Sequence, residues 1–246
     1  MINPNHRPVY AVLAGAGGIG SALCRQLAEG GAKVAVGGRK REKVEALADE
    51  IGGLAVEVDG RSFEQVENLL NQAAELGDLV GAANCAGSLL LKPAHLTREE
   101  ELQDTLDANI TTAFALVRAA ARSMKDGGSV VLMSSAAARI GLPNHEAIAA
   151  AKGAVEGLVG AAAATYAGRG LRVNAVAPGL VDTPLAARIT GNEKALEASR
   201  SLHPLGRIGQ PEEVAALIAW LLGPDSGWVT GQVWGTDGGL ASLKGG

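Results

Sequence analysis

The sequence predicts a doubly wound α/β fold, a mostly parallel seven-stranded sheet with helices on both faces. Three observations predict it. Short β-branched runs alternate with longer stretches of helical periodicity along the whole chain. The strand-like runs are almost continuously apolar, as strands buried on both faces must be. No linker, internal repeat or charge block divides the 246 residues, so a single domain spanning 1–246 is the economical reading.

In chain order, residues 9–13 read as a buried strand that runs into a glycine turn, and Leu23 and Leu27 mark one face of a helix ending near Gly30 and Gly31. A second strand over 33–36, a helix over 40–51 and a third strand over 54–58 follow. Phe63, Val66, Leu69, Leu70 and Ala73 keep helical spacing, and 79–83 is the fourth strand. The second half continues with a long helix over 98–124, a strand over 129–133, a helix over 147–167 and a strand over 172–176. Residues 211–222 are helical, opening on Pro211, where the missing N–H costs little, and 232–235 supply the last strand. Residues 1–8 are expected to be a flexible tail.

Composition excludes several function classes. Lys plus Arg number 22 against 26 for Asp plus Glu, a net charge of -4, and no basic stripe marks a nucleic-acid surface. Cys24 and Cys85 lie far apart with no zinc-type Cys/His spacing, so no metal site is expected, and isolated thiols fit a reducing compartment. The first residues lack the basic start and apolar core of a signal peptide. Apolar tracts are cut by Gly, Glu or Pro, which argues against a membrane span. These readings together predict a cytoplasmic protein. Aromatics are only 3%, so the core falls to Ala, Val, Leu and Ile.

Ligands of such sheets bind outside the carboxyl ends of the strands, where strand order reverses. After the first strand, Gly15, Ala16, Gly17, Gly18, Ile19 and Gly20 fit G-x-G-x-x-G and open a helix. Glycine lets main-chain N–H groups approach a pyrophosphate, and the helix amino end adds partial positive charge. This context predicts a Rossmann-type dinucleotide site with Gly15, Ala16, Gly18, Ile19 and Gly20 as contacts. An NAD site places an acid at the end of the second strand; here Arg39 stands there, which favours NADP(H) over NAD(H). Lys40 and Lys43 read as solvated charges at a helix start.

At this point the sequence resembles the short-chain dehydrogenase/reductase family along essentially its whole length. Asn84-Cys85-Ala86-Gly87 resembles that family's N-N-A-G motif, Asn109 its active-site Asn and Ser135 its catalytic Ser. The run from Arg172 through Pro178 and Gly179 resembles its sixth-strand signature, and Val181 and Thr183 match positions that hold the nicotinamide carboxamide. The resemblance implies cofactor contacts at Asp59, Asn84, Ala86, Gly87, Lys152, Pro178, Gly179, Val181 and Thr183. It implies a small-molecule substrate, a homo-oligomer (dimer or tetramer) and a symmetric interface near Gly231 to Gly239. The segment 184–210, with Leu185, Ile189 and Leu202, is expected to cover the pocket as a lid; its apolar residues point equally to an apolar substrate or to packing.

Three departures stand out. Ala14 replaces the Thr that opens the glycine motif, and the motif is one residue shorter. Cys85 replaces the second Asn of N-N-A-G. Most consequentially, the Y-x-x-x-K pair reads Ile148 and Lys152. Tyrosine is the resembled family's proton donor, and a positioned acid contributes about 10²–10⁴-fold. His145 precedes Ile148 by one helical turn and is a candidate substitute, although a half-exposed histidine near a helix start is the blander reading. His95 and His203, in loop-like stretches beside proline, have weaker claims. Two functions are therefore expected as alternatives. One is an NADP(H)-dependent oxidoreductase for a carbonyl or conjugated enoyl compound, with Ser135, Lys152, Asn109 and His145 as its catalytic set. The other is a catalytically silent NADP(H)-binding sensor or scaffold.

Overall fold

Every residue of β1 (Val9–Leu13) is buried, because this strand lies inside the sheet, with a strand on either side, and both of its faces are covered. The chain is described by a computed structural model over residues 7–243. After β1 come α1 (Gly18–Glu29), β2 (Lys33–Gly38), α2 (Arg41–Ile51), β3 (Leu54–Glu57), α3 (Phe63–Glu75) and β4 (Leu79–Asn84). The second half contributes α4 (Glu99–Leu106), α5 (Thr112–Ser123), β5 (Gly128–Met133), α6 (Glu146–Tyr166) and β6 (Leu171–Pro178). Two short helices, α7 (Ala187–Thr190) and α8 (Glu193–Leu202), precede α9 (Pro211–Leu222) and β7 (Val233–Thr236).

The seven strands are all parallel, in the order β3-β2-β1-β4-β5-β6-β7. The chain runs outward from β1 to β3, then returns to place β4 on the other side of β1. The loops after β1 and β4 therefore diverge and open a crevice at the carboxyl edge. Strand alternation divides the core into two layers. Val9, Ala11 and Leu13 pack with Leu69, Leu116, Val155 and their neighbours on one face. Tyr10 and Val12 pack with Leu23, Leu27, Val44, Ile218 and Leu221 on the other.

Three expectations need correction. The helix predicted over 98–124 is broken by a π-turn at Asp107–Thr111, which lets its apolar stripe change register and buries Asn109. The last strand begins one residue later than predicted, at Val233. The segment Glu146–Arg169 is, by length and a mean hydropathy of 1.4, apolar enough to cross a membrane. Here it contains the core helix α6, packed on β5 and β6, with Ala147, Ile148, Ala151, Lys152, Val155 and Val159 on its buried face. Of the predicted tail, residues 1–6 lie outside the described residues, and the Pro8 carbonyl already accepts from the Lys33 N–H (2.9 Å).

Candidate active site and dinucleotide cleft

The turn after β1 closes by main-chain bonds. Ala14 adopts the left-handed conformation (φ 58°), the Gly17 N–H donates to its carbonyl (3.0 Å), and the Gly15 N–H donates to the Gly37 carbonyl (2.9 Å). A Cβ at Gly20 would lie 2.4 Å from the Ala14 carbonyl oxygen, so α1 can approach this closely only with glycine there. Gly17 begins the helix without a side-chain cap, and no acid stands in its first turn. The leading amides of α1 therefore face the crevice unpartnered by side chains and suit an anion.

The crevice is a cleft of about 630 Å³ lined by Ala16, Gly18, Ile19, Arg39, Asp59, Ala86, Gly87 and Thr183, among others. These eight are expected contact residues. Gly15, Gly20, Asn84, Lys152, Pro178, Gly179 and Val181 do not line it. Gly15 and Gly20 shape the turn from behind. Asn84 is buried, its amide donating to Thr112 Oγ1 (3.1 Å) and its Oδ1 accepting from the Ala86 N–H (2.8 Å), so it fixes the β4 loop. Asp59 holds its own loop, with Oδ1 accepting from the Arg61 N–H (3.1 Å).

Lys40, Lys43 and Arg61 also line the cleft, which residue-type reasoning missed. The start of α2 turns towards the cleft, so residues read as solvated charges border it together with Arg39. Arg41 turns away, to Glu45 (2.7 Å). Among the described residues, Arg39, Lys40 and Lys43 form no ion pair, so their charges are not neutralised by a direct partner, although Asp59 lines the same cleft. A dinucleotide fits the donor set: main-chain amides for a pyrophosphate and a guanidinium with two ammonium groups for a further phosphate. Among the described residues, no cluster of His, Cys, Asp and Glu suits a metal ion.

Outside the lining of the cleft, Lys152 and Asn109 both approach Gly87. A Cβ at Gly87 would lie 3.0 Å from Asn109 Oδ1 and 3.5 Å from Lys152 Nζ, so glycine leaves room for both. Asn109 is held by Thr105 O (2.8 Å) and Ser88 Oγ (3.1 Å), both accepting from its amide. Lys152 is 5% exposed and donates to Met133 O (2.7 Å). Burial without a carboxylate partner lowers its ammonium pKa from 10.5 to about 7. Burial likewise pushes the Cys85 thiol up to about 12, so it is no thiolate at neutral pH.

Ile148 lies one turn before Lys152 on the same face of α6 and is 3% exposed. Ser135 follows β5, and its Oγ accepts from the Ala137 N–H (3.2 Å). His145 precedes α6 with Nδ1 2.8 Å from the Pro143 carbonyl, so that nitrogen carries the proton and Nε2 is the other, basic one. Neither Ser135 nor His145 lines the cleft.

Comparisons with known proteins agree with this architecture. A family model described as enoyl-(acyl carrier protein) reductase matches residues 13–241. A 2,5-dichloro-2,5-cyclohexadiene-1,4-diol dehydrogenase of Sphingobium indicum is 37% identical over 243 residues, 94% of this chain and 96% of that one. A short-chain type dehydrogenase/reductase from Mycobacterium ulcerans superposes with a TM-score of 0.90 at 31% identity, covering 97% of this chain and 91% of its own. A variant of actinorhodin polyketide ketoreductase with NADPH gives 0.90 at 27% identity, covering 99% of this chain and 100% of its own.

Proposed function

Because the chain belongs to the short-chain dehydrogenase/reductase family, we propose that it is an NADP(H)-dependent oxidoreductase acting on a small, apolar carbonyl or conjugated enoyl compound without a tyrosine proton donor. The observation that carries this reading is the combination of Asn109 and Lys152, both beside Gly87, with Ile148 one turn away. A nicotinamide cofactor supplies hydride when bound. The amino end of α1 would hold its pyrophosphate, Arg39, Lys40 and Lys43 the 2′-phosphate, and Val181 with Thr183 its carboxamide.

Ser135 Oγ would donate to the substrate oxygen, and Lys152 would orient the ribose. Ile148 carries no ionisable atom, so the proton for the product would come from His145 once its Nε2 has taken one up, from Ser135 or from water. A conjugated C=C substrate relaxes this demand, because hydride addition leaves an enolate that solvent protonates. The replacement of Tyr by Ile148 also favours a second reading, an NADP(H)-binding protein without turnover.

Titration with NADPH and NADH, followed by cofactor fluorescence and melting temperature, tests the shared premise. NADPH is expected to bind more tightly. Absence of a response to either overturns both readings. NADPH binding without consumption across carbonyl and enoyl panels would select the silent one.

A further inference from the structure

His203 is the only buried residue between Ser201 and Arg207, at 4% exposure, and it is polar. Both of its ring nitrogens are committed. Nε2 accepts from the Leu180 main-chain N–H (3.1 Å), and Nδ1 donates to the Ser199 carbonyl of α8 (2.6 Å). An amide N–H can only donate and a carbonyl can only accept, so these partners fix one neutral tautomer. Gly179 makes the approach possible, since a Cβ there would lie 2.4 Å from Nε2.

The two partners belong to different functional parts. Leu180 opens the loop leading to Val181 and Thr183, and Thr183 packs on the phosphate turn, its Cγ2 2.7 Å from where a Gly18 Cβ would stand. Ser199 belongs to α8, in the segment expected to cover the cleft. Neither α7 nor α8 buries a single residue, so apolar packing contributes little to holding this cover down. The loop is otherwise tied to Gly209, through Leu180 O (2.9 Å) and the Asp182 N–H (3.0 Å), and to Thr236 of β7, through the Gly179 N–H (3.4 Å), not to α8.

We propose that His203 is a proton-sensitive clasp that, when neutral, locks the cover helix α8 to the cofactor-binding loop 179–183 and releases it when protonated. The inference rests on the cofactor reading above. A second proton on the ring would set an Nε2–H against the Leu180 N–H and remove that bond. Imidazoles take up this proton between about pH 8 and 5.

The cavity beside the ring also holds Arg207, Glu213 and Asp237. Arg207 and the Gln210 N–H keep Glu213 ionised, its pKa lowered to about 2, so it does not titrate in this window. Asp237 accepts from the Gly239 and Ala241 N–H groups (3.0 and 2.9 Å). On α8 itself, Arg200 pairs with Glu197 (3.5 Å). His203 is thus a positioning residue that acts through Leu180.

The test compares wild type with His203→Ala and His203→Gln, whose amide presents the same acceptor and donor without titrating. At pH 8, His203→Ala is expected to bind NADPH about tenfold more weakly, the loss of one to two hydrogen bonds, and His203→Gln near wild type. At pH 5.5 wild type falls towards His203→Ala and His203→Gln does not. The cofactor's own phosphate titrates identically in all three, so the difference between proteins isolates the ring. Hydrogen exchange at the Leu180 amide, without cofactor, is the second readout: wild type loses protection on acidification relative to His203→Gln. If no protein binds NADPH, the functional reading fails and Leu180 exchange alone decides on the clasp. Equal pH dependence of Leu180 protection in wild type and His203→Gln, or unchanged protection in His203→Ala at pH 8, overturns the clasp.

Discussion

On the proposed reading, the phosphate turn and the α6 region behind Gly87 depart from the family pattern in opposite ways. At the phosphate turn the departure is in the backbone: the motif is one residue short and opens on Ala14. At α6 the backbone is undisturbed, and one side chain, Ile148, differs. The phosphate turn is expected to keep its capacity, because an anion there would be met by main-chain amides that any residue carries. At α6 no backbone group stands in for a side-chain proton donor, so on that reading the proton has to come from another side chain or from water. Recognition built from main chain tolerates sequence drift, and chemistry built from side chains does not.

Ile148→Tyr attacks this contrast where the effect is largest. If only the side chain is missing, restoring the phenol one turn from Lys152 raises carbonyl reduction by about 10²–10⁴-fold. Ile148→Phe controls for ring volume, since overpacking a buried position costs about 1–3 kcal/mol. Cofactor-consumption rates on a carbonyl panel decide. A tyrosine variant that folds, binds NADPH and still shows no gain over Ile148→Phe would mean that the α6 region has diverged beyond one residue.

Lys152 sharpens the same point through stability. Its pKa is near 7 in the fold against 10.5 ordinarily, so the unfolded chain binds more protons between those values. Stability therefore rises with pH from about 7 to 10.5, and the full penalty, at most about 5 kcal/mol, applies below 7. Lys152→Met removes the buried ammonium but leaves the Met133 carbonyl without its donor, a loss of about 1–3 kcal/mol. Urea midpoints across pH 5 to 10 are expected to place the variant above wild type at acid pH, with the gap closing or reversing as pH rises. A pH-independent gap would show that the ammonium is not destabilised by burial.

Much of this was legible in the sequence, for reasons that differ by element. The inner strands were readable because a sheet buried on both faces forces near-continuous apolar runs, and β1 shows the pattern at every residue. The π-turn was not, because a helix that inserts one residue keeps its composition and only shifts its stripe. Asn84 was placed in the right loop, yet it braces that loop from inside, which a motif match cannot distinguish from contact. His203 looked like a loop residue because its partners are main-chain atoms of Ser199 and Leu180, invisible to residue-type reasoning. Lys40 and Lys43 were set aside because exposure alone does not reveal which side of a helix start faces a cleft.

Those lysines set the smallest effect and probe the main-chain end. Arg39 is exposed, and Lys40 and Lys43 stand beside it. If the amides of α1 carry most of the dinucleotide affinity, Arg39→Ala removes only one charge-assisted contact to a 2′-phosphate, worth about 1.5 kcal/mol. NADPH affinity would then fall about tenfold and NADH affinity would stay unchanged, measured by fluorescence titration of each. Equal weakening of both cofactors would place Arg39 on the pyrophosphate, making this end depend on a side chain after all. The contrast between the two regions would then reduce to one of degree, with Ile148 as its extreme.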